Sequence, residues 1–217
     1  MLKLYDYYRS SACFRVRIAL NLKGLDYQAV PVHLINHGGE QFSDAYQKIN
    51  PQQLVPSLQD GDKVLTQSLA IIEYLDETHP SPPLLPADPY QKSLVRSFAL
   101  AIAADLHPLN NLRVWKYLMS HLKLPEEQKN SWYHHWMKIG LDALEKKLLS
   151  HHQNMSYCFG DQPTLADICL VPQLFNARRF AFDLGAYPTL VRIDANCQKH
   201  PAFVKAWPEE ASADVKG

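Results

Sequence analysis

The chain has 217 residues and carries 22 basic side chains against 22 acidic ones, so its formal net charge is zero. With 47% apolar and 20% charged residues, this balance argues against a disordered tail and a polyanion-binding surface, and we expect no nucleic-acid partner. The opening MLKLYDYY lacks the basic segment and apolar run of a signal peptide, and no apolar stretch reaches the roughly 18 residues of a membrane span. We therefore expect a cytoplasmic protein with no membrane partner, built as one large domain or, more naturally, two small ones.

The first 80 residues alternate between strand-like and helical patterns. KLYDYY predicts a strand, SSACFRVRIALNLKG predicts a helix that ends at Gly24, and YQAVPVHL predicts a strand in which Pro31 indicates an edge or a bulge. A polar loop INHGGEQFSDAYQKINPQQ, the extended segment LVPSLQD, the short strand KVLT and the helix SLAIIEYLDETH follow. The order βαβ then ββα predicts an α/β domain over residues 1–80.

The second half of the chain has a different pattern. PSPPLLPADP is too rich in proline for a helix or a central strand, and we interpret residues 81–89 as a linker. Residues 90–217 show helical spacing with almost no strand signal, which predicts an all-helical domain. Within it, Thr164 and Asp167 have the spacing of a helix capping box, which we interpret as structural.

The cysteines and histidines do not predict a metal site or dithiol chemistry. Cys13, Cys158, Cys169 and Cys197 include no C-x-x-C pair and lack the clustered spacing of a zinc site. The histidine doublets at positions 134 and 151 lie in helical sequence, where adjacent side chains diverge by about 100° and rarely share an ion. We expect no bound metal.

Two predicted helix N-termini carry polar residues that suit an anionic ligand. Ser10 and Ser11 fall where the first strand gives way to the first helix, a place where serine ordinarily caps the helix. Pro56 begins another strand, and Gln67 and Ser68 open the helix that follows it. Helix N-termini at one edge of a sheet offer free N–H groups and a positive dipole, which favour carboxylates and thiolates.

This combination resembles the glutathione transferase superfamily, in which a thioredoxin-like domain has Val-Pro before a strand and Gln-Ser at the next helix, followed by a helical domain. More narrowly, RSSACFRVRIAL, NPQQLVPSL, QSLAIIEYL and ADICLVPQ are similar to the zeta class, which includes maleylacetoacetate and maleylpyruvate isomerases. The similarity covers nearly the whole chain. It implies the glutathione transferase fold, an α/β thioredoxin-like domain plus an all-α domain, with glutathione as cofactor and a homodimer as the assembly.

The resemblance also implies a set of site residues. Ser10 or Ser11 donates a hydrogen bond to the glutathione sulfur, and the choice between them stays open. Pro56 is expected in the cis form, so that the backbone before it faces the ligand. The other positions that correspond to glutathione contacts are Gln41, Val55, Gln67, Ser68, His107, Asn111 and Arg113.

The substrates of such isomerases are dicarboxylates, so the site should present arginines, whose planar fork matches a carboxylate. The resemblance points to Arg9, beside the serines, as a catalytic residue that also faces the substrate, and to Arg113 and Arg179 as further substrate-facing residues. We expect Arg15 and Arg17 to be ordinary charges of a helix surface or a domain interface.

The energetics of thiol activation need no protein base. A free thiol with a pKa near 8.5 is only ~3% thiolate at pH 7, and lowering that pKa by about 2 units takes roughly 2.7 kcal/mol. One hydroxyl hydrogen bond to the anion, worth ~1.5–3 kcal/mol, together with a helix terminus at ~0.3–2 kcal/mol, can supply it.

The resemblance to the zeta class implies an enzyme that converts maleylacetoacetate to fumarylacetoacetate in tyrosine and phenylalanine breakdown, with glutathione transferase activity. Addition of a thiolate turns the conjugated cis double bond into a single bond that rotates before the thiolate is expelled. Maleylpyruvate isomerisation in gentisate catabolism, general glutathione conjugation and a non-catalytic glutathione-binding module are the alternatives. The chain has Ser-Ser-Ala where many zeta-class members have Ser-Ser-Cys, and we predict that Cys13, one position later, takes no part in catalysis.

Overall fold

The computed structural model describes residues 1–151 and 155–213. The chain divides into two compact units, which are Met1–Leu84 together with the segment from Gln198 onward, and Leu85–Cys197. The predicted helical domain over 90–217 differs from this division at its carboxyl end, and residues 214–217 lie outside the described part of the chain.

The first unit contains a four-stranded sheet in the order β2-β1-β3-β4. The strands are β1 at Leu2–Asp6, β2 at Tyr27–Pro31, β3 at Ser57–Asp60 and β4 at Lys63–Thr66. β1 pairs in parallel with β2 and antiparallel with β3, and β3 pairs antiparallel with β4. The edge position of β2 confirms the prediction from Pro31, because proline cannot donate to a central ladder.

Both units of the chain contain helices. Those of the sheet-containing region are α1 at Ser11–Leu22, α2 at Asp44–Ile49 and α3 at Ser68–Thr78. The second unit contains α4 at Pro89–Leu100, α5 at His107–Leu109, α6 at Leu112–Ser120, α7 at Glu126–His151, α8 at Leu165–Arg179 and α9 at Pro188–Cys197. Two last helices, α10 at Pro201–Lys205 and α11 at Pro208–Ala213, belong to the first unit.

The carboxyl-terminal segment joins the first unit because it packs on α1. The side chain of Asn21 donates to the carbonyl of Ala202 at 3.0 Å, and the rings of Phe14 and Trp207 meet edge to face at 5.4 Å. α1 packs against α3 and against α10 of this segment, and most of its residues are inaccessible to solvent.

The predicted loop over residues 35–53 is partly wrong. It contains two short 3-10 turns, Asn36–Gly38 and Glu40–Phe42, and the helix α2. Ser43 caps α2 by accepting a hydrogen bond from the N–H of Tyr46 at 3.3 Å. The polar composition concealed this helix, since only Tyr46 in it is buried.

The core of the second unit is formed by long helices. Met137, Leu141 and Leu148 of α7 are fully buried, as is most of α8. Between α4 and α5 the chain is π-helical over Ala101–Leu106. The predicted capping box of Thr164 and Asp167 is confirmed at the start of α8. No helix in the described part of the chain has both the length and the apolar character needed to cross a membrane.

Candidate active site

Ser10 and Ser11 lie where β1 turns into α1. Ser10 is the N-cap of the helix and accepts a hydrogen bond from the N–H of Cys13 through its Oγ atom at 3.3 Å. Its own N–H donates to the carbonyl of Tyr7 at 2.8 Å, which closes the turn between strand and helix. Ser10 is half-buried, whereas Ser11, in the first helical turn, is buried. The Ser10 hydroxyl therefore stands at the positive end of a helix where an anion is stabilised.

Cys13 lies under this turn and has no access to solvent. Its Sγ atom accepts a hydrogen bond from the N–H of Tyr7 at 3.4 Å. Burial, and secondarily the negative charge of Asp6, raise the pKa of the Cys13 thiol well above its usual value. The thiol is protonated at neutral pH, and a protonated, inaccessible thiol is not a nucleophile.

Replacement of Cys13 by alanine should leave kcat/KM within about threefold of the wild-type value, because the thiol neither ionises nor reaches the solvent. Cys169→Ala, which truncates another fully buried thiol, controls for the effect of a small core cavity on stability. Steady-state rates and thermal unfolding of both variants are the measurements. A loss of kcat/KM of more than about tenfold in Cys13→Ala but not in Cys169→Ala, with equal stability of the two variants, would indicate that Cys13 is the nucleophile.

The loop before β3 presents Val55 and Pro56. The Val55–Pro56 peptide bond is cis, as predicted. The ladder with β1 starts at the Tyr5–Ser57 pair, so Val55 lies beyond it. The carbonyl of Leu54 accepts from the Asn50 side chain and from the Tyr46 hydroxyl, both at 2.7 Å. These two hydrogen bonds fix the position of the loop that carries Val55.

Gln67 and Ser68 stand at the start of α3. Gln67 has φ 68° and ψ 115°, a left-handed conformation that is strained for a residue with a side chain. Its Nε2 atom donates to Oε1 of Gln52 at 2.8 Å, which ties the helix start to the loop before β3. Ser68 is buried, and its Oγ atom accepts from Nη1 of Arg15 at 3.3 Å. The observed strain and the buried serine are typical of a ligand-binding helix terminus.

Gln41 is buried in the 3-10 turn Glu40–Phe42. The carboxamide folds back over Gly39, which has φ 119°, and a Cβ atom at Gly39 would lie 2.6 Å from Nε2 of Gln41. Its Oε1 atom has no hydrogen-bond partner among the described residues, although it is inaccessible to water. A buried acceptor of this kind can be satisfied by a donor from a ligand or from ordered water.

The arginines near α1 divide into one exposed and two buried residues. Arg9 is exposed, with its guanidinium over the ring of Tyr8 at 5.0 Å. Arg15 and Arg17 are each only 1% exposed, so of the two predicted locations the helix surface is wrong. Both lie on α1, which packs against α3 and α10, and Arg17 is neutralised by Asp6 at 2.7 Å. Sequence alone favoured exposure, because arginine is almost never fully buried unless paired.

In the second unit, His107 and Asn111 lie together. The Asn111 side chain approaches Nε2 of His107 at 3.5 Å and caps α6 by accepting from the N–H of Arg113 at 3.1 Å. The side chain of Arg113 is exposed on the first turn of α6. His107 follows directly on the π-helical turn, a deviation that is frequent at functional sites.

Arg179 is exposed at the end of α8, with its guanidinium 5.1 Å from the ring of Phe180. Phe180 meets Trp115 of α6 edge to face at 4.7 Å, and both rings contact Tyr133 of α7. The elements that carry Arg113 and Arg179 are thus packed together. By contrast, Arg178 pairs with the buried Asp194 at 2.6 Å and serves the fold.

The functional residues that the sequence did not single out are those that hold the loops. Asn50 and Tyr46 fix the loop before β3, Gln52 binds Gln67, and Arg17 binds the turn before α1. Only Asn50 had a local signal, since Asn-Pro favours a turn. Chemically, the first unit offers an anion two helix N-termini and hydroxyl donors.

Comparison with known proteins assigns both halves of the chain to one protein family. The model of the glutathione S-transferase N-terminal domain matches residues 4–83, and that of the C-terminal domain matches residues 140–213. A probable maleylacetoacetate isomerase of Vibrio cholerae is 50% identical over 206 residues, which are 95% of this chain and 95% of that protein.

Comparison with solved structures supports the same family assignment. The holo structure of a maleyl pyruvate isomerase, described as a bacterial glutathione S-transferase of the zeta class, has a TM-score of 0.93 and 46% identity and covers 96% of this chain and 97% of its own. A maleylacetoacetate isomerase from Methylobacterium extorquens, solved with malonate and GSH, has a TM-score of 0.91 and 41% identity, with coverages of 96% and 97%. The predicted fold is confirmed, and the chain belongs to the zeta class of the glutathione S-transferase family, together with the maleylacetoacetate isomerases.

Proposed function

We propose that the protein is a glutathione-dependent isomerase that converts maleylacetoacetate to fumarylacetoacetate, a step of tyrosine and phenylalanine breakdown, and that it also has glutathione transferase activity. The observation that carries the proposal is the arrangement at the start of α1. A half-buried serine hydroxyl caps a helix N-terminus, while the cysteine beside it is buried and protonated. Such a site stabilises a thiolate that the protein does not itself provide.

The residues of the first unit suit glutathione. Gln41 has a buried amide oxygen without a partner among the described residues, which suits a donor of the peptide. The start of α3, with Gln67 and Ser68, suits the γ-glutamyl carboxylate because its N–H groups and dipole favour an anion. The backbone of Val55, beyond the end of the β1 ladder, suits the cysteinyl amide. In the second unit, His107, Asn111 and Arg113 are proposed as further contacts.

Bound glutathione supplies a thiolate that adds reversibly to the conjugated double bond, so that the bond can rotate and glutathione is regenerated. The protein's part is to hold that thiol ionised. The Ser10 hydroxyl accepts the N–H of Cys13 and keeps its own hydrogen for the sulfur, since a hydroxyl has one donor and two acceptor sites. The N-terminal dipole of α1 adds to this stabilisation.

Three exposed arginines are proposed to bind the carboxylates of the substrate, namely Arg9, Arg113 and Arg179. The always-charged, planar guanidinium matches a carboxylate with two parallel hydrogen bonds. The relative from Methylobacterium extorquens was solved with malonate, itself a dicarboxylate, which supports this choice of substrate class.

The test is a direct assay with purified protein, glutathione and maleylacetoacetate. We expect fumarylacetoacetate to form while the concentration of free thiol stays constant, because the thiol is returned at each turnover. Absence of turnover would refute the proposal. Maleylpyruvate, run in parallel, tests the alternative that a relative's name supports, and a larger kcat/KM on maleylpyruvate would establish it as the substrate. Steady loss of thiol with a halogenated acid would measure the transferase activity.

We further propose a homodimer in the cytoplasm. Dimerisation is the expectation for this family, and sedimentation of the purified protein tests it. A reducing compartment is supported by the four cysteines, which are all free and buried.

A further inference from the structure

The buried guanidinium of Arg17 binds three separate segments of the first unit. Nη1 donates to both carboxylate oxygens of Asp6, at 2.7 and 2.9 Å, at the end of β1. Nη2 donates to the carbonyl of Tyr8 at 2.9 Å, and Nε donates to the carbonyl of Ala206 at 3.1 Å. One side chain thus joins a strand, the turn before α1 and the carboxyl-terminal segment.

The turn that Arg17 holds is the one that presents Ser10. It begins at Asp6, whose carbonyl is bound by the N–H of Val32 at 2.8 Å, and it closes with the bond from Ser10 N–H to the Tyr7 carbonyl, also at 2.8 Å. The Tyr8 carbonyl lies between these two fixed points. Its orientation sets the path by which the backbone reaches Ser10.

The carboxyl-terminal segment holds Arg17 from the other side. Ala206 follows α10 directly, and its neighbour Trp207 packs edge to face on Phe14. The Arg17 guanidinium lies 5.4 Å from the Phe14 ring. Since the side chain is only 1% exposed, it is constrained on every side by these contacts.

We propose that Arg17 is a positioning residue for thiol activation, which fixes the turn from Asp6 to Ser10 against β1 and the carboxyl-terminal segment and so directs the Ser10 hydroxyl toward the bound thiol. This inference rests on the proposed function, because it concerns the same hydroxyl. Arg17 touches neither glutathione nor substrate in this scheme, and it acts through the backbone of the turn.

Arg17 could act through the geometry of its guanidinium or through its positive charge alone. The variant Arg17→Lys distinguishes these two roles. Lysine keeps the positive charge beside Asp6 but lacks the planar fork that binds Asp6, Tyr8 and Ala206 at once. If position matters, the pKa of the thiol of bound glutathione rises by about 0.5 to 1 unit, because the hydroxyl hydrogen bond to the thiolate is weakened. At a pH well below the wild-type thiol pKa, kcat/KM then falls about three- to tenfold, and it recovers toward the wild-type value as the pH is raised.

The experiment titrates the ultraviolet absorbance of the thiolate in complexes of glutathione with full-length wild type, Arg17→Lys and Asn21→Ala. Asn21 is the matched control, since it holds the same carboxyl-terminal segment through Ala202 but does not touch the turn. We expect Asn21→Ala to lower the unfolding temperature and leave the thiol pKa at the wild-type value. An Arg17→Lys protein that folds and titrates like wild type would overturn the inference.

A second variant keeps the inference testable if Arg17→Lys does not fold. Asp6→Asn removes the negative charge and one good acceptor but leaves the guanidinium in place. Disturbance of the turn raises the thiol pKa, whereas an effect of net charge lowers it, so a fall or no change contradicts the proposal. If the glutathione thiol in the wild-type complex titrates at its solution pKa, the protein does not activate the thiol. That result would refute the proposed function itself, in addition to the role of Arg17.

Discussion

Replacement of Ser10 by glycine is expected to raise the pKa of the bound glutathione thiol by about one to two units and, at a pH well below the wild-type thiol pKa, to lower kcat/KM about 10- to 100-fold. The physical reason is the loss of the one hydroxyl that stands half-buried at the N-terminus of α1. Glycine is the informative substitution, because it is itself a good N-cap and costs the helix only about a few tenths of a kcal/mol. Thiol activation and helix stability are thereby separated.

Three further variants complete this test. Ser10→Ala should show the same loss of activity together with about 1 kcal/mol of lost stability, since alanine cannot cap the helix. Ser10→Thr keeps a hydroxyl and should recover much of the rate. Ser11→Ala should have the smaller effect on the thiol pKa, because Ser11 is buried in the first turn. The reverse order, with Ser11→Ala inactive and Ser10→Gly active, would show that Ser11 is the serine that donates to the glutathione sulfur. Thiolate absorbance and pH–rate profiles are the measurements.

Replacement of Asp167 by alanine is expected to lower the free energy of unfolding by about 3 to 5 kcal/mol. The carboxylate is fully buried at the start of α8. It accepts hydrogen bonds from the N–H of Cys158 at 2.8 Å, the N–H of Thr164 at 2.8 Å and the hydroxyl of Thr164 at 2.9 Å. Alanine leaves these donors buried without their acceptor, so the unfolding temperature should fall by roughly 10 °C.

The control for Asp167 is a carboxylate whose ion pair faces water. The side chain of Glu126 is 75% exposed and pairs with Lys129 at 3.2 Å, and its replacement by glutamine should change stability by less than about 0.5 kcal/mol. Equal effects of the two substitutions in chemical denaturation would contradict the role assigned to Asp167. Activity measured below the unfolding transition should stay near the wild-type value, since Asp167 is proposed to hold the fold and not the substrate.

The pH dependence of stability gives Asp167 a second signature. Burial raises the pKa of its carboxyl, and the hydrogen bonds from Cys158 and Thr164 lower it in part. A carboxyl whose folded pKa exceeds the unfolded value of about 3.9 favours the folded state more when it is protonated. As the pH rises from about 4 toward the folded pKa, this contribution falls, and Asp167→Asn should lack that slope.

Local sequence patterns were sufficient for most of the elements. The strand signals at β1 and β4, the serine before α1 and the Thr164–Asp167 pair each depend on residues a few positions apart, and the structure confirms them. The helix α2 was missed, because a six-residue helix with one buried side chain has no periodic apolar face. Beyond these patterns, the family resemblance carried the positions of the proposed glutathione contacts.

The sequence by itself determined the two-part organisation and placed Ser10 and Ser11 at a helix N-terminus, because these features follow from spacing and capping. Only the tertiary structure decided that Cys13 is buried and protonated, that Ser10 is half-buried while Ser11 is fully buried, and that Arg17 is internal. The bond from Arg17 to Ala206 joins residues 189 positions apart in the chain. Burial and such distant contacts arise from packing between elements, and no local pattern of residues contains them.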